Sequence, residues 1–135
     1  MYSIDHLGIA VKSLAQSKKF YEQLGMRVLP EEEVMQEKVR LAMVPVGESR
    51  IELLEPTHQD SAIAKFLVKR GEGLHHVSLA VDNLAETVEL LKSEGVRLVN
   101  EQIQIGAGGH LYVFVHPSST GGVLLELCED QPKGV

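Results

Sequence analysis

The chain contains an internal repeat, in which two stretches align without a gap at an offset of 70 residues. One stretch begins at Ile4 and the other at Leu74, and most paired strand positions keep their apolar character. Neither half could bury a helix-bearing sheet alone, so the two halves are expected to share one structure. The identical pairs are His6/His76, Ala10/Ala80, Val11/Val81, Leu14/Leu84, Ala15/Ala85, Gly25/Gly95 and Arg27/Arg97.

Both halves predict the same order of elements: strand, helix, strand, strand, strand. Ser13 and Asn83 are typical helix N-caps, and Gly25 and Gly95 are typical of helix ends. We therefore predict an α+β fold made of two tandem βαβββ modules that form a shared curved mixed sheet. The predicted strands are 4–11, 27–30, 38–45 and 49–55 in the first half, and 74–81, 97–102, 110–116 and 122–128 in the second.

A length of 135 residues suits one domain, 1–135, because a chain of this size buries roughly two-thirds of its unfolded surface. We expect modules at 1–57 and 74–130, with a linker at 58–73 whose short helix covers Ala62 to Lys69.

Charge and cysteine content exclude several classes of protein. The formal charge of −6 argues against nucleic-acid binding, which needs a basic surface. No apolar run approaches the roughly 18 residues of a membrane span. The single cysteine, Cys128, suits a reducing compartment, and the start of the sequence reads directly into a strand pattern. A cytoplasmic location is therefore expected.

The alternation in the first strand of each half decides which side chains share a face. Leu7, Ile9 and Val11 are expected to pack on the helix, which leaves His6 on the opposite face beside small residues. By the repeat, His76 takes the same position in the second half. Small neighbours leave room for a ligand next to each imidazole.

A glutamate interrupts the last apolar strand of each half, Glu52 in the first and Glu126 in the second. A carboxylate inside such a strand is rarely buried without a partner. If the sheets curl toward each other, both His/Glu pairs converge. Two imidazoles and two carboxylates suit a divalent first-row metal such as cobalt, nickel, zinc or manganese. The predicted ligands are His6, Glu52, His76 and Glu126.

The remaining histidines are weaker candidates. His75 competes with His76, but alternation turns its side chain toward the helix face. His58, His110 and His116 lie in or beside predicted loops, where an exposed histidine is the ordinary case.

The doubled module with its paired His and Glu residues resembles the vicinal oxygen chelate superfamily of glyoxalases, extradiol dioxygenases and fosfomycin-resistance proteins. Within that superfamily, the sequence is similar to the methylmalonyl-CoA epimerases over nearly the whole chain. Four segments carry this similarity. The first, 4–11, is shared by many relatives, and the second is Ile51-Glu52-Leu53-Leu54-Glu55-Pro56. The third, 60–76, ends in Arg70-Gly71-Glu72-Gly73-Leu74-His75-His76, and the fourth, 106–127, runs from Gly106-Ala107-Gly108-Gly109 to Gly121-Gly122-Val123-Leu124-Leu125-Glu126-Leu127.

The resemblance implies a glyoxalase-like fold and a metal-dependent epimerase that interconverts (R)- and (S)-methylmalonyl-CoA. It implies proton abstraction at C2 through an enolate, with Glu126 as the base and Glu52 as a ligand and second acid/base. Some family members carry a further carboxylate on the strand near position 41, where this chain has Arg40-Leu41-Ala42. That role is unfilled here.

The resemblance also implies binding of an acyl-CoA substrate and assembly into a homodimer. Lys65, Lys69 and Arg70 are candidates, by local charge, for the phosphates of coenzyme A.

Two alternatives stay open at this point. A glyoxalase I-type lactoylglutathione lyase uses the same ligand types, although no pair of basic residues for the glutathione carboxylates is evident. A metal-free small-molecule binding protein of the same fold need not keep all four ligands. A dioxygenase is disfavoured because a fourth carboxylate would crowd the oxygen position.

Overall fold

The computed structural model describes residues 2–130 of the chain. Their elements follow the order that the repeat predicts, so the α+β class and the tandem βαβββ arrangement are confirmed. None of the helices in this part of the chain is long and apolar enough to cross a membrane. The elements are β1 (Ser3–Ala10), α1 (Leu14–Gln23), β2 (Glu32–Val34), β3 (Val39–Val46), β4 (Ser49–Pro56), α2 (Ala62–Arg70), β5 (Gly73–Ala80), α3 (Leu84–Ser93), β6 (Gln104–Ile105), β7 (Leu111–Val115) and β8 (Leu125–Glu129).

The chain divides into two compact units, each with the same strand pairing. The first unit is residues 6–75, and the second is residues 2–5 with 76–130 of the described chain. In the first unit, β4 pairs parallel with β1 and antiparallel with β3, which in turn pairs with β2. In the second unit, β8 pairs parallel with β5 and antiparallel with β7, which pairs with β6.

One face of each unit's strands packs on that unit's own helix, as the alternation predicts. In the first unit, Ile9 and Val11 join Leu14 of α1 in the apolar cluster. In the second unit, Leu79 and Val81 pack with Leu84 of α3. The opposite face of the strands is therefore free of the helix, and it carries the candidate site residues. The buried members of the two clusters are Val11, Leu14, Ala42, Val44 and Leu53, and Val81, Leu84, Val88, Val113, Val115 and Leu127.

The predicted second strand of each half is wrong. The segments 27–30 and 97–102 are not ladder strands, and the paired strands β2 and β6 lie farther along the chain. Val28 and Leu98 pack into the helix-side clusters, so their apolar pattern reflects burial rather than strand pairing. Each segment is tied to its neighbour by isolated bonds: Leu29 N–H donates to Met43 O over 2.9 Å, and Val99 N–H donates to Phe114 O over 2.8 Å.

The last predicted strand also begins later than expected. Gly121 and Gly122 have φ angles of 70° and 96°, which only glycine adopts readily, and they form a turn before β8.

A glutamate near the end of β4 caps the N-terminus of α1, and a glutamate at the end of β8 caps the N-terminus of α3. Glu55 Oε1 accepts from the Leu14 N–H over 3.1 Å, and Glu129 Oε1 accepts from the Leu84 N–H over 2.8 Å. The predicted local caps, Ser13 and Asn83, are confirmed beside them. Both helices are thus anchored to the strands by a carboxylate at the positive end of the helix dipole.

Replacing Glu129 with Ala is expected to lower the free energy of unfolding by about 1–2 kcal/mol. The Leu84 N–H would lose a charged acceptor at the helix end. Urea denaturation measures the difference. The control is Glu89→Ala, which removes an exposed carboxylate from the same helix. Equal unfolding free energies for the two variants would show that the cap contributes nothing.

Candidate metal and active site

The first unit brings His6 and Glu52 together on the face that is turned away from α1. β1 and β4 run parallel with Gly8 opposite Glu52, so His6 lies one same-face step from the glutamate. His6 is 1% exposed and Glu52 is 7% exposed. His6 Nε2 lies 3.4 Å from Glu52 Oε1. That separation is short enough for both atoms to bind one ion through bonds of about 2.0–2.2 Å.

The second unit repeats this arrangement with His76 and Glu126. β5 and β8 run parallel with Ser78 opposite Glu126, which again leaves the histidine one same-face step away. His76 is 4% exposed and Glu126 is 6% exposed. A ring nitrogen of His76 and a carboxylate oxygen of Glu126 lie within 4.8 Å of each other. The repeat therefore places one buried imidazole and one buried carboxylate side by side in each unit.

Aromatic rings hold the His76 side chain in place. The Phe114 ring meets the imidazole edge to face, with centroids 5.3 Å apart and planes at 89°. Phe114 is also the register partner of Glu126 across β7 and β8. The Tyr112 ring packs on Phe114 in turn, at 5.8 Å. Such packing fixes the orientation of the imidazole, which a metal ligand needs.

His75 lies on the other face of β5, as alternation predicts. Its ring meets the Phe66 ring of α2 edge to face, with centroids 5.1 Å apart. The structure thus separates the two neighbouring histidines and places His76, not His75, beside Glu126.

Two further side chains near Glu126 were missed by the sequence analysis. Ring, carboxylate and sulfur atoms of His110, Glu126 and Cys128 all lie within 4.8 Å of one another. Cys128 follows Glu126 by two residues in β8, so strand alternation would have placed them on one face. His110 follows a glycine-rich turn, where no periodicity signals its position.

The Cys128 thiol is neutral in this setting. Its side chain is buried, and burial raises the pKa of the thiol to about 12, partly offset by the contact of its Sγ with Ser78 Oγ at 3.4 Å. Without a metal, Cys128 is therefore a poor nucleophile at neutral pH.

The basic residues suggested for coenzyme A lie on α2. Lys65, Lys69 and Arg70 are exposed, and the Arg70 guanidinium stands 5.9 Å from the centroid of the Phe66 ring. Their role toward coenzyme A stays a prediction.

The donor set fits a divalent metal. Buried carboxylates are costly unless they are paired or coordinate a metal, and imidazole with carboxylate is a usual ligand set for first-row ions. His6, His76 and Glu126 are candidate metal ligands. Glu52, next to His6, stays the predicted fourth ligand.

Comparison with known proteins identifies the family. Residues 5–114 match the model of the Glyoxalase/Bleomycin resistance protein/Dioxygenase superfamily, which confirms the glyoxalase-like fold. The uncharacterised protein YqjC of Bacillus subtilis is 41% identical over 99% of this chain and 95% of its own length. The mitochondrial methylmalonyl-CoA epimerase of Bos taurus is 39% identical over 92% of this chain and 72% of its own length.

A solved structure supports the same placement. It is a variant of the Streptomyces coelicolor methylmalonyl-CoA epimerase in complex with 2-nitronate-propionyl-CoA. It superposes with a TM-score of 0.92 at 34% identity, and the match covers 98% of this chain and 97% of that one. The chain belongs to the glyoxalase/bleomycin resistance protein/dioxygenase superfamily and, within it, to the methylmalonyl-CoA epimerase family.

Proposed function

We propose that this protein is a methylmalonyl-CoA epimerase that interconverts the (R) and (S) forms by moving the proton at C2. The observation that carries the proposal is the buried histidine and glutamate pair that recurs in both units. The epimerases among its relatives support the choice of substrate.

The reaction needs a base on the carbon between a carboxylate and a thioester. Loss of the C2 proton leaves negative charge that spreads onto the thioester oxygen, and return of a proton on the opposite side inverts the centre. Glu126 is assigned as the base because its carboxylate is buried beside His76, where exclusion of water strengthens its interactions. Glu52, from the other half of the repeat, is assigned as the second acid/base.

His6, Glu52, His76 and Glu126 would hold the divalent ion, for which cobalt, zinc, manganese and nickel all suit the donors. When bound, such an ion supplies Lewis acidity that favours negative charge on the substrate oxygens. The chain's own residues orient the ligands, since Phe114 fixes the plane of the His76 imidazole. Both glutamates are buried, so little water competes with them for the substrate proton.

The substrate's coenzyme A moiety carries phosphates that need cations. The exposed Lys65, Lys69 and Arg70 on α2 are proposed to meet them. The protein is further proposed to act in the cytoplasm, a reducing compartment that suits its single cysteine. It is proposed to form a homodimer, because two-fold dimers are the commonest oligomers.

Exchange in deuterated water tests the proposed function. The protein loaded with cobalt or another divalent ion should wash deuterium into C2 of methylmalonyl-CoA and interconvert its epimers, read by mass spectrometry and chiral analysis. If the protein instead leaves C2 unexchanged and converts the methylglyoxal–glutathione adduct, the epimerase assignment is wrong and the lyase replaces it. If it does neither, with metal absent from the purified protein, a binding protein replaces both.

A further inference from the structure

Three metal-binding groups of different chemistry converge in the second unit, and only one of them belongs to the predicted ligand set. They are the imidazole of His110, the carboxylate of Glu126 and the thiol of Cys128, whose ligand atoms lie within 4.8 Å of one another. Glu126 and Cys128 are buried, and the His110 side chain is largely buried.

A glycine-rich turn is packed so that His110 lies near β8. A Cβ on Gly106 would approach the Tyr112 ring to 3.0 Å, so the turn lies directly against that ring. Gly106 N–H donates to His110 O over 2.8 Å, which closes the turn. Tyr112 is the register partner of Cys128, and His110 lies two residues before Tyr112, close to Cys128.

Side chains around this cluster orient its donors. His110 Nδ1 lies 3.5 Å from Asp130 Oδ1, so this carboxylate can orient the imidazole ring. A histidine that binds a metal through one ring nitrogen typically donates its other ring N–H to such a carboxylate. Cys128 Sγ lies 3.4 Å from Ser78 Oγ, so the sulfur also has a polar neighbour that holds it in place.

We propose that His110, Glu126 and Cys128 form a second cation site, selective for soft divalent ions such as Zn²⁺ and Cd²⁺. Thiolate and imidazole favour such ions over Mg²⁺ or Ca²⁺, which prefer oxygen ligands. On binding, the Cys128 S–H bond breaks, a sulfur–metal bond forms and the proton passes to solvent. No electron is transferred in this step.

The site shares Glu126 with the proposed active site. An ion held by His110 and Cys128 would occupy the carboxylate that is assigned as the base, so excess Zn²⁺ or Cd²⁺ would inhibit the enzyme. This consequence rests on the proposed function, whereas the binding itself does not.

Titration of the metal-free protein with Cd²⁺ tests the binding, without substrate. A thiolate–cadmium bond gives an ultraviolet charge-transfer absorption, and Cys128 is the single cysteine of the chain, so the band reports on this residue. We expect the band in the wild type, none in Cys128→Ser, and at least about tenfold weaker Cd²⁺ binding in His110→Gln. The control is His116→Gln, which alters a histidine outside the cluster and should match the wild type.

Absence of the band in the wild type at excess Cd²⁺ would overturn the proposal, as would equal affinities for His110→Gln and the wild type. The exchange assay then tests the overlap at Glu126. Excess Cd²⁺ should inhibit the wild type at least about tenfold more strongly than Cys128→Ser, each compared with its own rate before addition. Equal inhibition would refute the overlap. If the thiolate–cadmium absorption is present but the metal-loaded protein shows no exchange activity, the second cation site is supported and the proposed function is refuted.

Discussion

Replacing Glu126 with Gln is expected to lower the rate of C2 proton exchange by at least about 10²-fold. The amide keeps the shape of the side chain but cannot accept the substrate proton, and loss of a general base typically costs this much. The carboxylate is buried beside His76, where water is a poor substitute for it. Deuterium incorporation into methylmalonyl-CoA, followed by mass spectrometry, measures the rate.

Metal content separates this effect from loss of the ion. The Gln variant keeps an oxygen ligand, so its bound metal should stay close to that of the wild type. Glu89→Gln, on the exposed side of α3, controls for the removal of one negative charge. An exchange rate for Glu126→Gln within about tenfold of the wild type would assign the base to another residue.

Replacing His76 with Ala is expected to weaken metal binding by more than about 10²-fold, because even the outer partners of metal ligands are worth 10–100-fold. The imidazole lies buried against Phe114, and an alanine at this position offers no side-chain atom that can bind a metal. Elemental analysis after loading with Mn²⁺ and mild dialysis measures the bound ion, because Mn²⁺ prefers carboxylate and imidazole ligands to the thiolate of the proposed Cys128 site.

The neighbouring histidine supplies a matched control for this variant. His75 lies on the other face of β5 against Phe66, so His75→Ala should keep the metal. By the repeat, His6→Ala should lose metal as His76→Ala does. Glu52→Gln should keep the metal, because its amide oxygen can still coordinate the ion. Equal metal content in His76→Ala and the wild type would refute the ligand assignment.

The repeat and the strand alternation were enough to predict the tandem modules and the histidine–glutamate pair inside each unit. Both are local properties: a period of two residues decides the face of a strand, and a duplicated pattern places His76 and Glu126 as it places His6 and Glu52. The proximity of His6 Nε2 to Glu52 Oε1 follows once β1 and β4 pair. That the two pairs bind one metal ion together is part of the proposed function.

Other features depended on contacts between residues far apart in the sequence. The apolar patterns near 27–30 and 97–102 reflect burial against a helix, and the paired strands lie after them in the chain. The sequence could not separate the two cases, because burial and strand pairing produce the same apolar pattern. The carboxylate caps join Glu129 to Leu84, across 45 residues.

The sequence by itself determined the doubled α+β architecture and the residues that share the site-bearing face of each unit, since both follow from local periodicity. Only the tertiary structure decided that Glu55 and Glu129 cap helices and that His110 lies beside Glu126 and Cys128. His110 reaches that place because Gly106 allows the turn to rest on Tyr112. These turns and caps depend on how particular side chains pack in three dimensions, and such packing leaves no periodic pattern in the sequence.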